Sequence, residues 1–319
     1  MEISAMPGGP ARLYALHLHL RPVQNGTLMP FSGELVHGAF LRWLQAAAPD
    51  IAAWLHEGNK RRLFTCSSLG FPRVAGRKLE IERRNIHLPL DPHETYLVRL
   101  TLLLGDLFPL FHEALTKFDI SHLGTDTPPF LQLGKQLFLL EEVITTNDDS
   151  HGWTGFTSLS SLVEQARQVK CKREEILTLD FVSLTAFSRA EGKAGYGSHA
   201  FMLPLPQFVF QNLARRWQDI APPELAGIVQ MERLEHYLQE DGVIIVDYDL
   251  KAHHVHFTTH QQRGFLGSCT YQLRGHDEST SEDAPLTLRQ QIHLLARLAF
   301  YTGVGYKTTM GLGQARLRT

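Results

Sequence analysis

The chain has 319 residues, enough for two domains that each bury a core, and its 43% apolar and 20% charged residues suit a folded, water-soluble protein. No apolar run approaches the roughly 18 residues of a membrane span, and a formal net charge of −2 gives the whole chain no electrostatic claim on nucleic acid. The opening MEISAMPGGPARLYALHLHL lacks the basic start and uninterrupted apolar stretch of a secretory signal, so a cytoplasmic protein is expected. Cys66, Cys171 and Cys269 lie far apart without CxxC spacing, which argues against a disulfide framework or a thiolate zinc site and for small buried side chains.

RLYALHLHLRP alternates, with Leu16, Leu18 and Leu20 on one side and His17, His19 and Arg21 on the other, and predicts a strand that Pro22 stops. FSGELVHGAFLRWLQAAAPD follows as an amphipathic helix, with Val36, Phe40, Trp43 and Ala47 at helical spacing, Ser32 as N-cap and Pro49 past its end. Strands are predicted at LEIERRNIHLPL and TYLVRLTLLL, a helix at LFPLFHEALTKFD and one further strand at FLQLGKQLFLLEEVITT. The turn-rich NDDSHGWTGFTS and the short polar helix LSSLVEQARQVKCKREE read as a connection, so we expect residues 1–150 as one domain, 151–175 as a linker and 176–319 as a second domain.

The second half opens on the β-prone ILTLDFVSLTAFS. RAEGKAGYGSH then reads as a hairpin or mobile loop, and FMLPLPQFVFQNLARRWQDI turns into a helix. GVIIVDYDLKAHHVHFTTH and GFLGSCTYQLRG predict a strand pair joined near Gln261 and Gln262. After an acidic loop, PLTLRQQIHLLARLAFYTG reads as a helix with Leu288, Ile292, Leu295 and Ala299 on one face and Gly303 as C-cap, and LGQARLR as a final strand. Each half mixes strands and helices in a similar order, an α+β pattern of open sheets with helices packed on one face.

Charge is segregated along the chain. Residues 60–84 carry Lys60, Arg61, Arg62, Arg73, Arg77, Lys78, Arg83 and Arg84 against only Glu80 and Glu82, while residues 284–319 carry Arg289, Arg297, Lys307, Arg316 and Arg318 with no acid. Such runs are either solvated faces or the footprint of a polyanion. GVGYKTTMGLG, with Gly303, Gly305, Gly311 and Gly313, is neither a dinucleotide fingerprint, whose third glycine would fall at Thr308, nor a Walker loop, because it follows a helix and precedes a strand. Two readings stand: a connection that lets helix and sheet approach closely, or a set of exposed amides that cradle a phosphate backbone beside Lys307, Arg316 and Arg318.

The run LARLAFYTGVGYKTTMGLGQAR resembles the C-terminal signature of the CRISPR-associated repeat-processing endoribonucleases. LVHGAFLRWLQAAAPDIAAWLHEGNKRRLFTCSSL resembles that family's first helix and catalytic segment, and LDFVSLTAFSRA through FMLPLPQFVFQNLARRW resembles the opening of its second domain. The resemblance implies two tandem ferredoxin-like domains, related to the RNA-recognition-motif fold, with RNA along a basic surface. The implied reaction is metal-independent cleavage within the repeats of a CRISPR transcript, in which a 2′-hydroxyl attacks the adjacent phosphate to leave a 2′,3′-cyclic phosphate and a 5′-hydroxyl. The product passes to an effector complex, and no cofactor or metal is expected.

That chemistry needs a base, an acid and positive charge at the phosphate, and histidine suits either proton transfer. His56, which precedes Lys60, Arg61 and Arg62, matches the family's catalytic histidine. His37 on the first helix is either a second catalytic group or a partly buried, hydrogen-bonded histidine, since the place of the tyrosine that some relatives use falls on Leu41. Arg62 stands where some relatives carry a lysine; it neutralises a phosphate well but is a poor proton donor. Arg189 and Lys193 are expected to reach an RNA stem and Tyr196 to stack on a base. His253, His254, His256 and His260 form either a metal set, an exposed histidine face or an RNA contact. A non-catalytic RNA-binding subunit of an effector complex and a metal-dependent hydrolase are the rival functions, and the chain is expected as a monomer or homodimer.

Overall fold

The computed structural model describes residues 12–50, 52–53, 63–70, 86–117, 130–146, 152–170, 175–189, 199–275 and 286–318. The first half contains β1 (Arg12–Pro22), β2 (Gly26–Leu28), α1 (Gly33–Ala47), β3 (Phe64–Cys66), β4 (Leu88–Leu90), β5 (Tyr96–Leu102), α2 (Leu107–Lys117), β6 (Phe130–Leu133), β7 (Gln136–Ile144), β8 (Gly155–Ser158) and α3 (Leu159–Arg167). The second contains β9 (Glu175–Thr185), β10 (Phe187–Arg189), β11 (His199–Phe201), α4 (Pro206–Ile220), α5 (Pro223–Ala226), α6 (Met231–Gln239), β12 (Val243–His256), β13 (Gln261–Leu273), α7 (Leu288–Thr302) and β14 (Ala315–Leu317).

The sheets run β3-β5-β1-β7-β6 and β12-β13-β9-β14, with antiparallel neighbours throughout. Within the first half the order of strands and helices β1-α1-β3-β5-α2-β7 is a βαββαβ unit, and β9-α4-β12-β13-α7-β14 repeats it in the second. Numbered inside its own unit, each sheet has the spatial order 2-3-1-4. The repeat that no residue comparison reveals is therefore one of topology, two ferredoxin-like units in tandem. The smaller β2–β4 and β10–β11 hairpins sit outside these sheets.

Three local readings change. FLQLGKQLFLLEEVITT is a hairpin and not one strand, because Gly134 takes a φ of 62° and opens a two-residue turn between Leu133 and Gln136. The β12–β13 pair turns at residues 257–260, closed by the Phe257 amide on the His260 carbonyl (2.9 Å), and not at Gln261. In the stretch expected as a connection, β8 hydrogen-bonds to β1 and α3 packs on α7, with Ser158 capping α3 through the Ser161 amide (3.0 Å).

Alternation in β1 buries Leu16, Leu18 and Leu20 as expected, yet His17 on the opposite face is only 1% exposed. The cause is α7, which packs on β1, β3 and β5 as well as on β14. A helix set between two sheets has little solvent face: from Arg289 to Thr302 every residue but Arg297 and Phe300 is buried, rather than the one stripe expected. Thr287 and Gln290 start it with a reciprocal capping box. Cys66 and Cys269 are buried and free, as small core side chains.

An acidic residue at the start of β9 anchors α7. Glu175 lies 3.2 Å from Arg289 and 2.7 Å from His293, one helical turn further on, and all three side chains are largely buried. Burial holds the His293 pKa below its usual 6.5, with Glu175 opposing and Arg297 and Arg289 reinforcing the shift. The unfolded chain then takes up this proton at a higher pH than the folded one, so stability contributed here is present above about 6.5 and falls as acidification passes that value. Urea titrations between pH 7.5 and 5.5 are expected to show this loss in the wild type and a flatter profile in His293→Gln.

Candidate active site at the domain seam

The two units meet where the loop after α7 lies against α1 and β3. Val36, Phe40, Trp43 and Leu44 commit one side of α1 to the core, which leaves His37 partly buried at the edge of that side. The His37 ring stacks on Phe64 of β3 (5.4 Å between centroids), and its Nδ1 lies 3.0 Å from the Thr309 carbonyl. A carbonyl can only accept, so in the neutral ring the proton sits on Nδ1 and the basic lone pair on Nε2. The buried Cys66 thiol donates to the same carbonyl (2.9 Å), and burial pushes its pKa up, which keeps it a donor. Ser32 stands at the N-terminus of α1 but does not cap it; its Oγ accepts from the Leu69 amide (2.9 Å) and ties the helix start to the chain after β3.

Close approach of backbones makes this seam possible. A Cβ on Gly33 would lie 2.1 Å from the Met310 carbonyl oxygen, so only glycine admits the loop onto α1. The loop's own Gly303, Gly305, Gly311 and Gly313 have φ of 63°, 87°, 89° and 70°, and all four are buried. Three of the four amides are used within the fold: Gly303 donates to Ala299 (2.9 Å), Gly305 to Asn212 Oδ1 (2.9 Å) and Gly313 to Leu184 (2.9 Å). Of the two readings of the glycine run, the close-packed connection is the one these bonds describe.

What the loop turns outward is Lys307, a non-glycine residue at φ 56°. Its ammonium lies 2.7 Å from His260 Nε2 and 4.0 Å from the centre of the Phe257 ring. His260 stacks on Phe257 (4.9 Å) and its Nδ1 meets Thr259 Oγ1 (3.0 Å), so the β12–β13 turn holds the lysine in one place. The same turn grips α1, since Thr258 donates through its amide (2.8 Å) and hydroxyl (2.9 Å) to Glu34 Oε2. The neighbouring Tyr306 hydroxyl donates to Gln262. A positive side chain, an oriented imidazole and a polar turn thus converge from three elements distant in sequence.

The remaining expected residues divide. Arg316 lies elsewhere on the seam, donating to the Gly152 carbonyl (2.7 Å) with its guanidinium 4.5 Å from the Trp153 ring. Arg189 ends β10, paired with His199. His56, Lys60, Arg61, Arg62, Lys193 and Tyr196 lie outside the described residues. Of the histidine cluster, His253 is buried, His254 and His256 form an edge-to-face pair (5.4 Å), and His260 serves Lys307; among the described residues no group of three or more His, Cys, Asp and Glu is arranged to hold a metal ion.

Sequence reasoning missed Arg99 and Gln314. Arg99 is fully buried, and donates to Trp153 O (2.8 Å), Phe300 O (2.7 Å) and Gln314 Oε1 (2.5 Å); desolvation lowers its pKa to about 9. Gln314 returns its amide to Thr65 Oγ1 (3.3 Å) and Cys66 O (3.2 Å). The available signal was a lone cation in the otherwise apolar run YLVRLTLLL.

Gly33→Ala is expected to destabilise the chain by about 2–3 kcal/mol through the clash with Met310. Gly227→Ala is the control: its φ of −70° suits any residue and nothing lies within 4 Å of the added Cβ. It is expected to be neutral or to stabilise by about 0.4–1 kcal/mol. Urea midpoints of the two variants check both.

Residues 179–315 match the family model described as CRISPR-associated endoribonuclease Cas6. The fold is similar over 96% of this chain and 100% of the other to Cas6 (TTHB231), a Thermus thermophilus protein solved as a product complex, at 25% identity and a TM-score of 0.73. Cas6 (TTHA0078), also solved as a product complex, is similar over 97% of this chain and 100% of its own at 22% identity and a TM-score of 0.65. A RAMP protein solved binding different RNA substrates shares the fold at 14% identity and a TM-score of 0.54, over 96% of this chain and 100% of its own. Comparison with curated proteins finds no match. The second unit thus matches the Cas6 family model, and the fold is shared from end to end with solved Cas6 proteins.

Proposed function

We propose that this chain cleaves CRISPR precursor RNA inside its repeats without a metal ion, by attack of a ribose 2′-hydroxyl on the adjacent phosphate. The observation that carries the reading is His37, whose tautomer the Thr309 carbonyl selects two residues from the outward ammonium of Lys307. One group takes the 2′-hydroxyl proton as the oxygen attacks phosphorus; the P–O5′ bond breaks, and a second group protonates the leaving 5′-oxygen. The products are a 2′,3′-cyclic phosphate and a 5′-hydroxyl, and atoms and charge balance without a cofactor. His56, in the segment between α1 and β3, and His37 share the two proton transfers. Arg62 and Lys307 neutralise the phosphate, since cations aimed at developing charge are worth most where water is excluded.

RNA contact from the glycine loop then falls to the Lys307 side chain rather than to the amides of Gly303, Gly305 and Gly313. Lys60, Arg61, Arg189, Lys193 and Arg316 extend the basic track. The processed guide RNA passes to an effector complex, with this chain acting as a monomer or homodimer. Solved Cas6 proteins of this fold in product complexes support the reading.

The test is cleavage of an end-labelled repeat RNA in excess EDTA. Wild type is expected to cut at one position, and His56→Ala and His37→Ala to lose about 10²-fold or more in single-turnover rate while still binding. A 2′-deoxy substitution at the cut site should abolish cutting. Tight binding with no cutting by wild type would replace the enzyme by a structural RNA-binding subunit, and dependence on a divalent ion would replace the mechanism. Lys307→Ala is expected to weaken RNA binding and to reduce the slope of log affinity against log salt by about 0.7–0.9, the share of one phosphate contact; an unchanged slope would remove Lys307 from the track.

A further inference from the structure

A cleft opens between β8 and β14, roofed by α3 and the C-terminal half of α7. It has a volume of about 470 Å³ and shares no residue with the His37 and Lys307 cluster. That volume lies within the roughly 300–1,000 Å³ of small-ligand sites. Its lining holds three guanidinium groups, Arg297, Arg316 and Arg318, and one carboxylate, Asp180.

These charges do not cancel. Arg318 is spent on Asp180, with Nη2 2.5 Å and Nε 3.1 Å from Oδ1. Arg316 gives one nitrogen to Gly152 O and lies over Trp153. The buried Nε of Arg297 has no acceptor among the described residues. Glu175, at the start of β9, is already shared between Arg289 and His293. A guanidinium without a counter-charge among the described residues, at the wall of an open cleft, is available to an anion from outside. The lip is aromatic: Phe156 of β8 is 51% exposed, and Phe300 and Tyr301 form the inner wall. Burial raises the Tyr301 pKa to about 12, so that wall adds no negative charge.

Guanidinium groups beside an exposed aromatic face match one ligand chemistry, a phosphate joined to a planar base. We propose that this cleft holds a single unpaired nucleotide of the RNA, with its phosphate on Arg297 and Arg316 and its base stacked on Phe156. The inference rests on the proposed RNA substrate and adds a recognition site apart from the scissile phosphate. Phe300, which lines the cleft, is joined to His37 through Arg99, Gln314, Cys66 and Thr309, so the two sites sit at opposite ends of one buried hydrogen-bonded line.

Fluorescence anisotropy on a repeat RNA scanned with single abasic substitutions tests this, using wild type, Phe156→Ala, Arg297→Gln and Arg297→Lys, each checked for unchanged thermal unfolding. One abasic position is expected to cost wild type about tenfold in affinity. Phe156→Ala should lose a like amount on intact RNA and nothing further on that abasic RNA. Arg297→Gln should weaken binding and lower the salt slope by about 0.7, while Arg297→Lys retains most of both. No abasic position whose effect vanishes in Phe156→Ala, or equal affinity and slope in Arg297→Gln, overturns the proposal although wild type binds the repeat. Saturable binding of AMP that Arg297→Gln abolishes, with no abasic effect, would assign the cleft to a free nucleotide instead. Failure of wild type to bind any repeat RNA would remove the proposed function itself, and this site with it.

Discussion

One buried cation holds the two halves of this molecule in register. Arg99 sits in the middle of β5 with no ion-pair partner among the described residues, and its charge is solvated by two carbonyls, the Gln314 side chain and the rings of Phe300 and Trp153 at 4.5 and 5.2 Å. A guanidinium taken out of water is costly unless nearly every donor is matched. Here the partners come from α7, from the strand β8 approach and from the turn before β14, so the cost is met only when all three are docked. Orientation of the two sheets is thereby selected by a polar requirement rather than by apolar area alone.

The glycine loop makes sense in that frame. Once Gln314 is drawn to Arg99, Thr65 and Cys66, the eleven residues between it and the end of α7 must fold back across α1 without side chains in the way. Positive φ at four glycines supplies the path, and the missing Cβ of Gly33 supplies the room. The result presents the Thr309 carbonyl to His37 and Cys66 together, and turns Lys307 to the surface. Chemistry and architecture are then consequences of one loop course, in which the glycines shape and the neighbouring side chains act.

Much of the fold was legible in the sequence. Period and punctuation located β1, α1, β5, α2, α4, α7 and the long β12–β13 pair, because each carries a full turn or alternation signal within its own window. What covers the far face of a sheet has no such local signature. His17, Arg99 and Thr101 alternate with apolar neighbours and read as a solvent side; α7, arriving about 200 residues later, buries them, with Thr101 donating to Tyr301 O across a separation of 200. The site divides the same way. His37 and Lys307 could be picked out by residue type and by the family resemblance, whereas their connection through Thr309 spans 272 residues and follows from packing alone.

The separation of 215 residues between Arg99 and Gln314 also has a temporal meaning. At roughly 5–20 residues per second of synthesis, the first unit spends on the order of 10–40 s on the ribosome before its partner residue has been made. Throughout that interval the arginine, the Thr65 hydroxyl of β3 and the helix face around Gly33 have no partner from the second unit, so the first unit emerges with a polar face where the finished protein has a dry joint. A face that needs its arginine satisfied gains little by sticking to an arbitrary apolar surface, so the groups that later bind the halves work against association before then.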